Sequence, residues 1–394
     1  MIAIMKKKRI KVAFIFGALG GGGAQRQFGH LINNINRERF RPIIISIGRS
    51  ENETIAFFKK YTDEQIEIDP QIAKVEFQNY YLYRNLKYKE DIYFISKYEN
   101  SKFKIQKLLY KLFQKLKPDI ALSISPYAAA LSIFPLVLNR TKHRIHSVRS
   151  NEMLFEHKKS ISNYFHWFTK HLISLYIVNS NDLKTKMKLN GFKHKEIINI
   201  YNGIPVFYDL IQKKNDDVIK ISYIARLYKV KNHQMLFDAI LSISTNNEFR
   251  VHIFGTGVLE HELKEYVNKY KLSHTVIFEG WKKDISKYLQ ETDIVVLTSN
   301  GEGFNNSIAE AQMHAIPVVS TDCTGSREIV INGVTGFVVN VDDTKSFAEK
   351  LQILIDNDSL RNAYGKRAYT RSRNMFTIKN MIKNYEALFA SLMN

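Results

Sequence analysis

Short apolar runs alternate along the chain with stretches in which apolar residues recur every three or four positions. The runs are typical of strands buried on both faces, and the stretches between them are typical of helices that pack on one side. We predict strands at residues 10–16, 42–47, 66–68, 118–124, 142–147, 172–180 and 197–201, and then at 220–225, 250–254, 275–278, 293–298, 316–320 and 337–340. This alternation predicts parallel sheets covered by helices, that is, doubly wound α/β domains.

The length of 394 residues is sufficient for two such domains. Residues 121–138 are the best candidate for a membrane-spanning helix, but they include three Ser and two Pro residues, so we predict a strand, a turn and a buried helix. The basic N-terminus lacks the long apolar run and the cleavage site of a secretory signal. Cys323 is the single cysteine, which excludes an intramolecular disulfide and fits a reducing compartment. We therefore expect a cytoplasmic protein.

Positive charge is concentrated in the first half of the chain. The net charge is +20, and residues 1–203 hold 35 Lys and Arg against 16 Asp and Glu, so nearly all of the excess lies there. A solvated lysine-rich surface, an anionic membrane and a nucleic acid are the alternative explanations. We favour a membrane over a nucleic acid because no nucleic-acid-binding motif accompanies the charge. Residues 102–116 have the apolar stripe of a core-facing helix, and the alternative is that part of 80–117 contacts a membrane or a lipid acceptor.

The stretch 299–317 combines a Gly-rich turn with two carboxylates. Glu302 lies between Gly301 and Gly303, directly after an apolar run, and Glu310 follows in a helical pattern. Their spacing is just over two helical turns, so both carboxylates can reach the same cleft. Glycine allows close backbone approach to a ligand, and the free N–H groups of a first helical turn suit an anion or a polar sugar. The pattern therefore indicates a site that accepts hydroxyl groups.

A second candidate segment follows the strand predicted at 220–225. Arg226 and Lys231 lie at a strand-to-helix turn, where two fixed cations suit a diphosphate and stabilise its charge as it leaves. The alternative is a solvated basic loop. Two neighbouring segments bear on the same site. The strand at 250–254 ends in Gly255-Thr-Gly257, and the strand at 275–278 leads to Trp281, which either flanks a nucleobase or is a buried structural residue.

The first half has its own Gly-rich loop at 17–25, between a predicted strand and a predicted helix. This arrangement is typical of the phosphate-approaching crevice of a doubly wound domain, and the alternative is a tight turn without a ligand. Polar residues after the strands are further crevice candidates: Ser125, Tyr127, Arg149 and Asn151. His143 and His146 fall inside a strand, where histidine is more often structural, so we assign no catalytic histidine.

Together these motifs resemble those of one enzyme family. EGFNNSIAE at 302–310 resembles the E-x7-E motif of the retaining GT-B glycosyltransferases of family four, which include bacterial surface-polysaccharide enzymes. The segment with Arg226 and Lys231 resembles the family's G-R-L…K motif, and the turn at 255–257 resembles its G-x-G turn. Asn202-Gly203 resembles the signature that closes the first domain.

The chain departs from the family pattern at four points. Gln25 stands where Glu is common, Ala225 and Ala315 replace Gly residues, and the family's His is missing. These departures concern the acceptor more than the donor chemistry. The resemblance implies a GT-B fold of two Rossmann-like domains facing a cleft. It places a basic acceptor-binding domain at 1–205, a nucleotide-sugar-binding domain at 206–375, and a C-terminal helix at 376–394 that crosses back to the first domain.

The resemblance also implies roles for individual residues. The catalytic residues would be Arg226, Lys231 and Glu302. The donor-binding residues would be Gly22, Gly255, Gly257, Trp281, Gly303, Phe304, Asn305 and Glu310. The residues on the acceptor side would be Gly21, Gln25, Tyr127, Arg149 and Asn151.

In this assignment, Glu310 binds the ribose hydroxyls and Glu302 binds the hexose, while backbone N–H groups of 303–305 approach the sugar or phosphate. Arg226 and Lys231 neutralise the leaving diphosphate, as a metal does elsewhere. We therefore expect neither a metal nor another cofactor, since the nucleotide sugar is a substrate.

The implied function is retaining transfer of a hexose or N-acetylhexosamine from a nucleotide sugar, UDP-linked by resemblance, to a lipid-linked or growing surface saccharide. The expected partners are the donor, the acceptor and the anionic inner membrane surface, with no nucleic acid, and the expected location is peripheral on the cytoplasmic face of the cell membrane. The alternatives are a GT-B nucleotide-sugar epimerase, a sugar phosphorylase, a non-catalytic binding component of a membrane polysaccharide assembly, and a nucleic-acid binder supported by charge alone.

Overall fold

The computed structural model describes residues 8–17, 23–47, 91–95, 101–150, 169–192, 195–206 and 218–394. The chain divides into two compact units. The first comprises residues 1–179, 184–200 and 381–394, and the second comprises residues 180–183 and 201–380. The main division falls between Ile200 and Tyr201, whereas the sequence predicts a boundary near residue 205.

A parallel sheet forms the centre of the first unit. Its described strands are β1 (Ile10–Phe16), β2 (Phe40–Ser46), β3 (Ile92–Phe94), β4 (Ile120–Ser123), β5 (His143–Val148), β6 (Leu175–Val178) and β7 (Ile197–Asn199). They pair in the order β3-β2-β1-β4-β5-β6-β7. The order reverses between β1 and β4, where Val12 lies beside Ile120. In a doubly wound sheet, ligands bind at the carboxyl ends of the strands at such a switch point.

The second unit repeats this plan, with six strands among its described residues. They are β8 (Ile219–Ile224), β9 (Phe249–Phe254), β10 (Val276–Gly280), β11 (Ile294–Leu297), β12 (Val318–Thr321) and β13 (Gly336–Val339). All pair in parallel in the order β10-β9-β8-β11-β12-β13. The switch point lies between β8 and β11, where Ile221 lies beside Ile294.

Helices connect the strands. The α-helices are α1 (Gly23–Asn34), α2 (Lys102–Leu116), α3 (Pro126–Leu138), α4 (Asn181–Met187), α5 (His233–Leu241), α6 (Glu260–Lys269), α7 (Ser286–Leu289), α8 (Asn306–Met313), α9 (Ser326–Ile329), α10 (Thr344–Asp356), α11 (Asp358–Met375) and α12 (Ile378–Ser391). Short 3₁₀ turns occupy Lys170–Leu172 and Lys229–Lys231, and a π-helical turn occupies Lys188–Phe192.

The sheet of the first unit has an apolar core on each face, as the alternation of β1 dictates. Phe14 and Phe16 belong to a cluster with Phe28 of α1 and with Tyr385 and Phe389 of α12. Neighbouring residues of β1 point the other way, because successive strand side chains alternate between faces. On that opposite face they belong to a second apolar cluster, which includes Leu109 and Phe113 of α2.

The structure confirms the predicted doubly wound class and corrects several details. Residues 121–138 form the end of β4, a turn and the buried helix α3, as predicted. Strand β3 is absent from the predicted set, and the strand predicted at 66–68 lies outside the described residues. Within the described part of the chain, no helix is both long and apolar enough to span a bilayer.

Helix α2 is the core-facing helix of the simpler interpretation. Ile105, Leu109, Leu112 and Phe113 are buried in the first unit. Phe103, which the sequence assigns to the same stripe, is instead 75% exposed. Its position two residues before Ile105 puts it on a different face of the helix.

Candidate functional site

The candidate donor residues converge at the switch point of the second unit. Arg226 follows β8, and Glu302 follows β11, which is the neighbouring strand in the sheet. Because parallel strands end at the same edge, the two loops lie next to each other. The sequence places these residues far apart, and the sheet order brings them together.

Hydrogen bonds join the two loops. Asn300 N–H donates to the carbonyl of Val230 at 2.8 Å, and the side-chain amide of Asn232 donates to Asn300 Oδ1 at 3.1 Å. The hydroxyl of Thr298, at the end of β11, donates to the carbonyl of Asn232 at 2.8 Å. The backbone that carries Lys231 is therefore fixed to the backbone that leads to Glu302.

Tyr223 supports the same junction from below. Its side chain is fully buried on β8, and its hydroxyl donates to the carbonyl of Lys231. Burial raises the pKa of Tyr223 above its ordinary value, and hydrogen bonds from Thr298 and Ser299 only partly oppose this. The phenol therefore stays protonated and remains a donor.

The centre of the site is an ion pair between Lys231 and Glu302. Lys231 Nζ donates to Glu302 Oε1, and the two side chains are only 15% and 16% exposed. Two further donors reach the same oxygen: Ser299 Oγ at 3.0 Å and Asn305 Nδ2 at 3.1 Å. No hydrogen bond from the described residues reaches Oε2. The protein thus holds Oε1 of Glu302 through three hydrogen bonds, and Oε2 can accept a hydrogen bond from a hydroxyl group.

Helix α8 carries the second carboxylate. Asn305 is its N-cap and accepts from Ile308 N–H at 3.1 Å. Ser307 donates to the carbonyl of Ile224 at 2.9 Å, which ties the first turn to the end of β8. Glu310 is buried on this helix. The strand, turn and helix start predicted at 299–317 are confirmed.

The end of α8 contains Ala315, one of the departures from the family pattern. Ala315 lies beyond the helix with a φ of +56°, in the left-handed region. Its N–H donates to the carbonyl of Gln312, and the N–H of Ile316 donates to the carbonyl of Ala311. This pairing is a Schellman motif, in which glycine is the favoured residue at the left-handed position. The departure Ala315 therefore falls at a position with a backbone reason for glycine.

Gly255 and Gly257 support the loop of Arg226 by close packing. A Cβ at Gly255 would lie 2.0 Å from the carbonyl oxygen of Ala225, and a Cβ at Gly257 would lie 2.3 Å from that of Leu227. A side chain at either position would therefore clash with the backbone, which is a steric reason for glycine at both. Their contact with a donor stays a prediction. The Arg226 side chain is exposed, with its guanidinium carbon 4.9 Å from the Tyr228 ring centre.

Trp281 is 66% exposed, so the alternative of a buried structural tryptophan is wrong. The preceding Glu279 accepts from His252 Nδ1 at 3.0 Å and pairs with Lys282 at 3.2 Å. Burial raises the pKa of Glu279, but these hydrogen bonds outweigh burial, and the net pKa is lowered. An ionised carboxylate therefore stabilises the segment that presents Trp281.

The side chain of Phe304 lies in the core of the second unit. Its ring centre is 6.0 Å from that of Tyr201 and 5.5 Å from that of Phe376. Only its backbone is available for the predicted donor contact. The backbone of Gly303 is packed just as closely, since a Cβ at Gly325 would come within 2.6 Å of the Gly303 carbonyl oxygen.

The acceptor-side candidates do not form one cluster. Arg149 is buried in the first unit, where it donates to Tyr385 Oη at 2.5 Å and Ser147 Oγ at 2.7 Å and lies 4.7 Å from the Phe28 ring centre. These contacts give it a structural role in the core. The others are scattered or undescribed. Tyr127 is partly exposed at the start of α3, Gln25 is half-buried on α1, and Gly21, Gly22 and Asn151 lie outside the described residues.

His146 has the structural role that the sequence favours. It is buried on β5, and its Nδ1 lies 3.0 Å from Ser123 Oγ. His143 on the same strand is half-buried, and burial lowers its pKa, with Lys142 and Arg144 adding to the effect.

Three contributors to the site escape the sequence reasoning: Tyr223, Ser299 and the side chain of Asn305. Tyr223 reads as an ordinary apolar position of a strand, and its hydroxyl matters only once β8 lies beside β11. Ser299 and Asn305 flank Glu302 at three residues on either side. That symmetrical spacing of polar residues was a usable signal.

Comparisons with known proteins agree with this architecture. Residues 209–371 match the family described as Glycosyl transferases group 1. The capsular polysaccharide biosynthesis glycosyltransferase CapM of Staphylococcus aureus is 26% identical over 302 residues, which are 71% of this chain and 78% of CapM. The UDP-Gal:alpha-D-GlcNAc-diphosphoundecaprenol alpha-1,3-galactosyltransferase of Escherichia coli is 25% identical over 304 residues, which are 72% of this chain and 78% of that enzyme.

A solved structure shares the fold over nearly the whole chain. The complex of Anabaena Alr3699/HepE with UDP superposes with a TM-score of 0.74 at 15% identity and covers 97% of this chain and all of HepE. The two doubly wound units thus define the class: the protein has the GT-B fold. The matched region at 209–371 and the relatives above support a GT-B glycosyltransferase of the family-four type, in agreement with the resemblance in the sequence.

Proposed function

We propose that this glycosyltransferase moves a hexose or N-acetylhexosamine from a UDP-linked sugar to a lipid-linked or growing surface saccharide, with retention of configuration. The observation that carries the proposal is the Lys231–Glu302 pair at the switch point of the second unit, with Glu310 on the helix that begins beside it. This arrangement offers a cation for a diphosphate and carboxylates for hydroxyl groups.

Each group has a stated task in the proposed reaction. Lys231 and Arg226 bind the diphosphate and stabilise the negative charge that grows as the bond from the anomeric carbon to the phosphate oxygen breaks. Glu302 accepts a hexose hydroxyl through Oε2, and Glu310 accepts the ribose hydroxyls. The exposed Trp281 offers an aromatic face to the base.

The names of the relatives support the choice of substrates. The name of the E. coli relative specifies a UDP-sugar donor and a diphosphoundecaprenol-linked acceptor. CapM is named for capsular polysaccharide biosynthesis, and HepE was solved with UDP. We carry these chemical classes to the present protein as the proposal.

Ligand-induced thermal stabilisation tests the donor. We expect UDP and one UDP-sugar to raise the melting temperature, because a ligand at about 100 times its dissociation constant adds about 2.7 kcal/mol to stability. Glu310→Ala should abolish the shift, whereas Glu262→Ala, on the exposed face of α6, should retain it. No response of the wild-type protein to any nucleotide would contradict the proposal.

Two further assays test the mechanism. Proton NMR of the product should show the anomeric configuration of the donor sugar, and inversion would exclude retention. Activity should survive exhaustive treatment with EDTA, since Lys231 and Arg226 supply the charge that a metal supplies elsewhere. Restoration of a lost activity by Mg²⁺ or Mn²⁺ would contradict metal independence. Release of free sugar without an acceptor product, or a requirement for phosphate, would instead favour an epimerase or phosphorylase.

A further inference from the structure

The Asn305 side chain contacts two different parts of the proposed donor site. Its Oδ1 accepts from the N–H of Ile308 at 3.1 Å, and its Nδ2 donates to Glu302 Oε1 at 3.1 Å. A backbone N–H can only donate, so the amide atom facing Ile308 must be the oxygen. The NH₂ group must then face the carboxylate, which fixes the orientation of the amide from the network itself.

This bridge holds Glu302 against the start of α8. Lys231 and Ser299 donate to the same Oε1 from the other side. Lys231 belongs to a different loop and is also the proposed ligand of the diphosphate. Asn305 and Ser299 are therefore the donors that stay with Glu302 when a substrate takes Lys231. Of these two, Asn305 is also fixed by the helix through its capping bond.

We propose that Asn305 is a positioning residue for the transferred sugar. Its amide keeps Oε1 of Glu302 turned toward the helix, so that Oε2 faces a sugar hydroxyl. The inference rests on the proposed function, because it assigns Glu302 to the sugar and leaves the nucleotide to other residues. It therefore separates two affinities: Asn305 should matter for a nucleotide sugar and should not matter for the nucleotide alone.

Asn305→Ser is the discriminating variant. Serine caps a helix about as well as asparagine but cannot donate an amide proton to Glu302 across the same distance. Asn305→Asp also retains the cap, and it places a second carboxylate against Glu302. The matched control is Asn357→Ser, because Asn357 caps α11 in the same way by accepting from Leu360 N–H at 2.8 Å.

The first measurement needs no substrate. Denaturation midpoints are compared for wild type, Asn305→Ser, Glu302→Ala and the double variant. Asn305→Ser should lower the midpoint more than Asn357→Ser, and the excess should vanish in the Glu302→Ala background, as expected for two residues in direct contact. Additive midpoints would show that the amide makes no bond to Glu302, which overturns the inference.

The second measurement is calorimetric titration with UDP and with the UDP-sugar that stabilises the wild-type protein. Asn305→Ser should lower the affinity for the UDP-sugar about tenfold, which is the effect of one lost hydrogen bond to a charged group. Asn305→Asp should lower this affinity further. Affinity for UDP should stay within about twofold in Asn305→Ser, which changes no charge. Equal losses for UDP and the UDP-sugar, or no loss for either, would overturn the positioning role.

The two measurements separate this inference from the proposed function. If the wild-type protein binds neither UDP nor any UDP-sugar, the proposed donor fails, and the positioning role fails with it even where the stability coupling is present. If the wild-type protein binds both and only the variants behave differently from expectation, the proposed donor stands and Asn305 alone is misassigned.

Discussion

At the scale of single residues, Lys231 and Glu302 neutralise each other in an ion pair. Both are largely withdrawn from solvent, where an unpaired charge is costly. The pairing therefore offsets the cost of withdrawing each charge from water. Its members also have separate tasks in the proposed reaction, so their substitution should have different effects on binding and on turnover.

Lys231→Ala should lower turnover by about two to three orders of magnitude, because it removes a charge that stabilises the leaving diphosphate. Initial rates at saturating donor give the effect on turnover, and circular dichroism shows whether the protein remains folded. Lys229→Ala is the matched control, since Lys229 lies in the same 3₁₀ turn but points into solvent. Near-normal turnover of a folded Lys231→Ala protein would remove this lysine from the site.

His233 makes stability depend on pH. It is buried on α5 beside Tyr223, neither ring nitrogen has a hydrogen-bond partner among the described residues, and burial lowers its pKa from 6.5 to about 4, with Lys231 adding to the effect. Between pH 6.5 and about pH 4, His233 binds a proton in the unfolded chain but not in the folded chain. Stability is therefore complete above pH 6.5 and declines as the pH falls toward 4, by up to about 3 kcal/mol.

Urea denaturation between pH 7 and pH 4 measures this dependence. His233→Leu should flatten the slope, because leucine has no proton to bind and replaces an unpartnered imidazole. His261→Leu should leave the slope intact, since His261 is exposed on α6. A slope that survives in His233→Leu would assign the acid sensitivity to other groups, with His30 the next candidate because its pKa is also lowered to about 4 by burial and by Arg26.

At the scale of elements, the end of α8 contains a strained residue that glycine could replace without strain. Ala315 adopts a left-handed conformation that costs an L-residue about 1–2 kcal/mol. Ala315→Gly removes this cost but gives the unfolded chain more freedom, which offsets about 0.4–1 kcal/mol. We expect a net stabilisation of about 0.5–1 kcal/mol in chemical denaturation.

Ala311→Gly provides the contrast for this change. Ala311 lies inside the same helix, where glycine costs about 1 kcal/mol, so this variant should be less stable than the wild type. If both substitutions destabilise the protein, the left-handed conformation of Ala315 does not carry the expected energetic cost.

The elements themselves were largely predictable because their apolar pattern is strong. Strands buried on both faces and helices with one apolar stripe follow directly from spacing, as β1, β8 and β11 show. Strand β3 has only three residues and lies at a sheet edge, so its pattern is too short to stand out from a lysine- and tyrosine-rich segment. Its existence depends on pairing with β2, which no local signal encodes.

The site was predictable where residue type and spacing carry the chemistry. Glu302, Glu310, Arg226 and Lys231 could be singled out because carboxylates and cations at Gly-rich turns have few structural uses, and the sheet order places the loops of Arg226 and Glu302 side by side, while their roles stay predictions. Arg149 shows the limit of this argument, because a cation after a strand can also be buried against an aromatic ring and a tyrosine hydroxyl. Such a partner comes from a distant helix and is invisible in the local sequence.

At the scale of the whole molecule, charge separates the two halves. Residues 1–203 hold nearly all of the net charge of +20. Helix α2 presents part of that charge on its exposed side, at Lys102, Lys104, Lys107 and Lys111, beside the exposed Phe103. Cations next to an exposed aromatic ring are the composition expected of a surface that contacts anionic lipid.

Replacement of these four lysines by glutamine should weaken sedimentation with vesicles that contain anionic lipid, because each lysine near such a surface contributes about 1 kcal/mol. The effect should diminish in high salt. The control replaces four exposed lysines of the second unit: Lys283, Lys287, Lys345 and Lys366. If vesicle binding falls equally in the two variants, or in neither, the lysines of α2 form a solvated surface with no role in membrane binding.

The ion pair between Lys231 and Glu302 has a consequence for the end of the catalytic cycle. In the proposed reaction, the nucleotide that remains after sugar transfer contacts Lys231 but has no hexose hydroxyl for Glu302 to bind. Re-formation of the pair then competes with the departing diphosphate for the same ammonium group. The carboxylate of Glu302 would thereby help to displace the diphosphate from Lys231. We expect spent nucleotide to dissociate more slowly from a Glu302→Gln variant than from the wild-type protein.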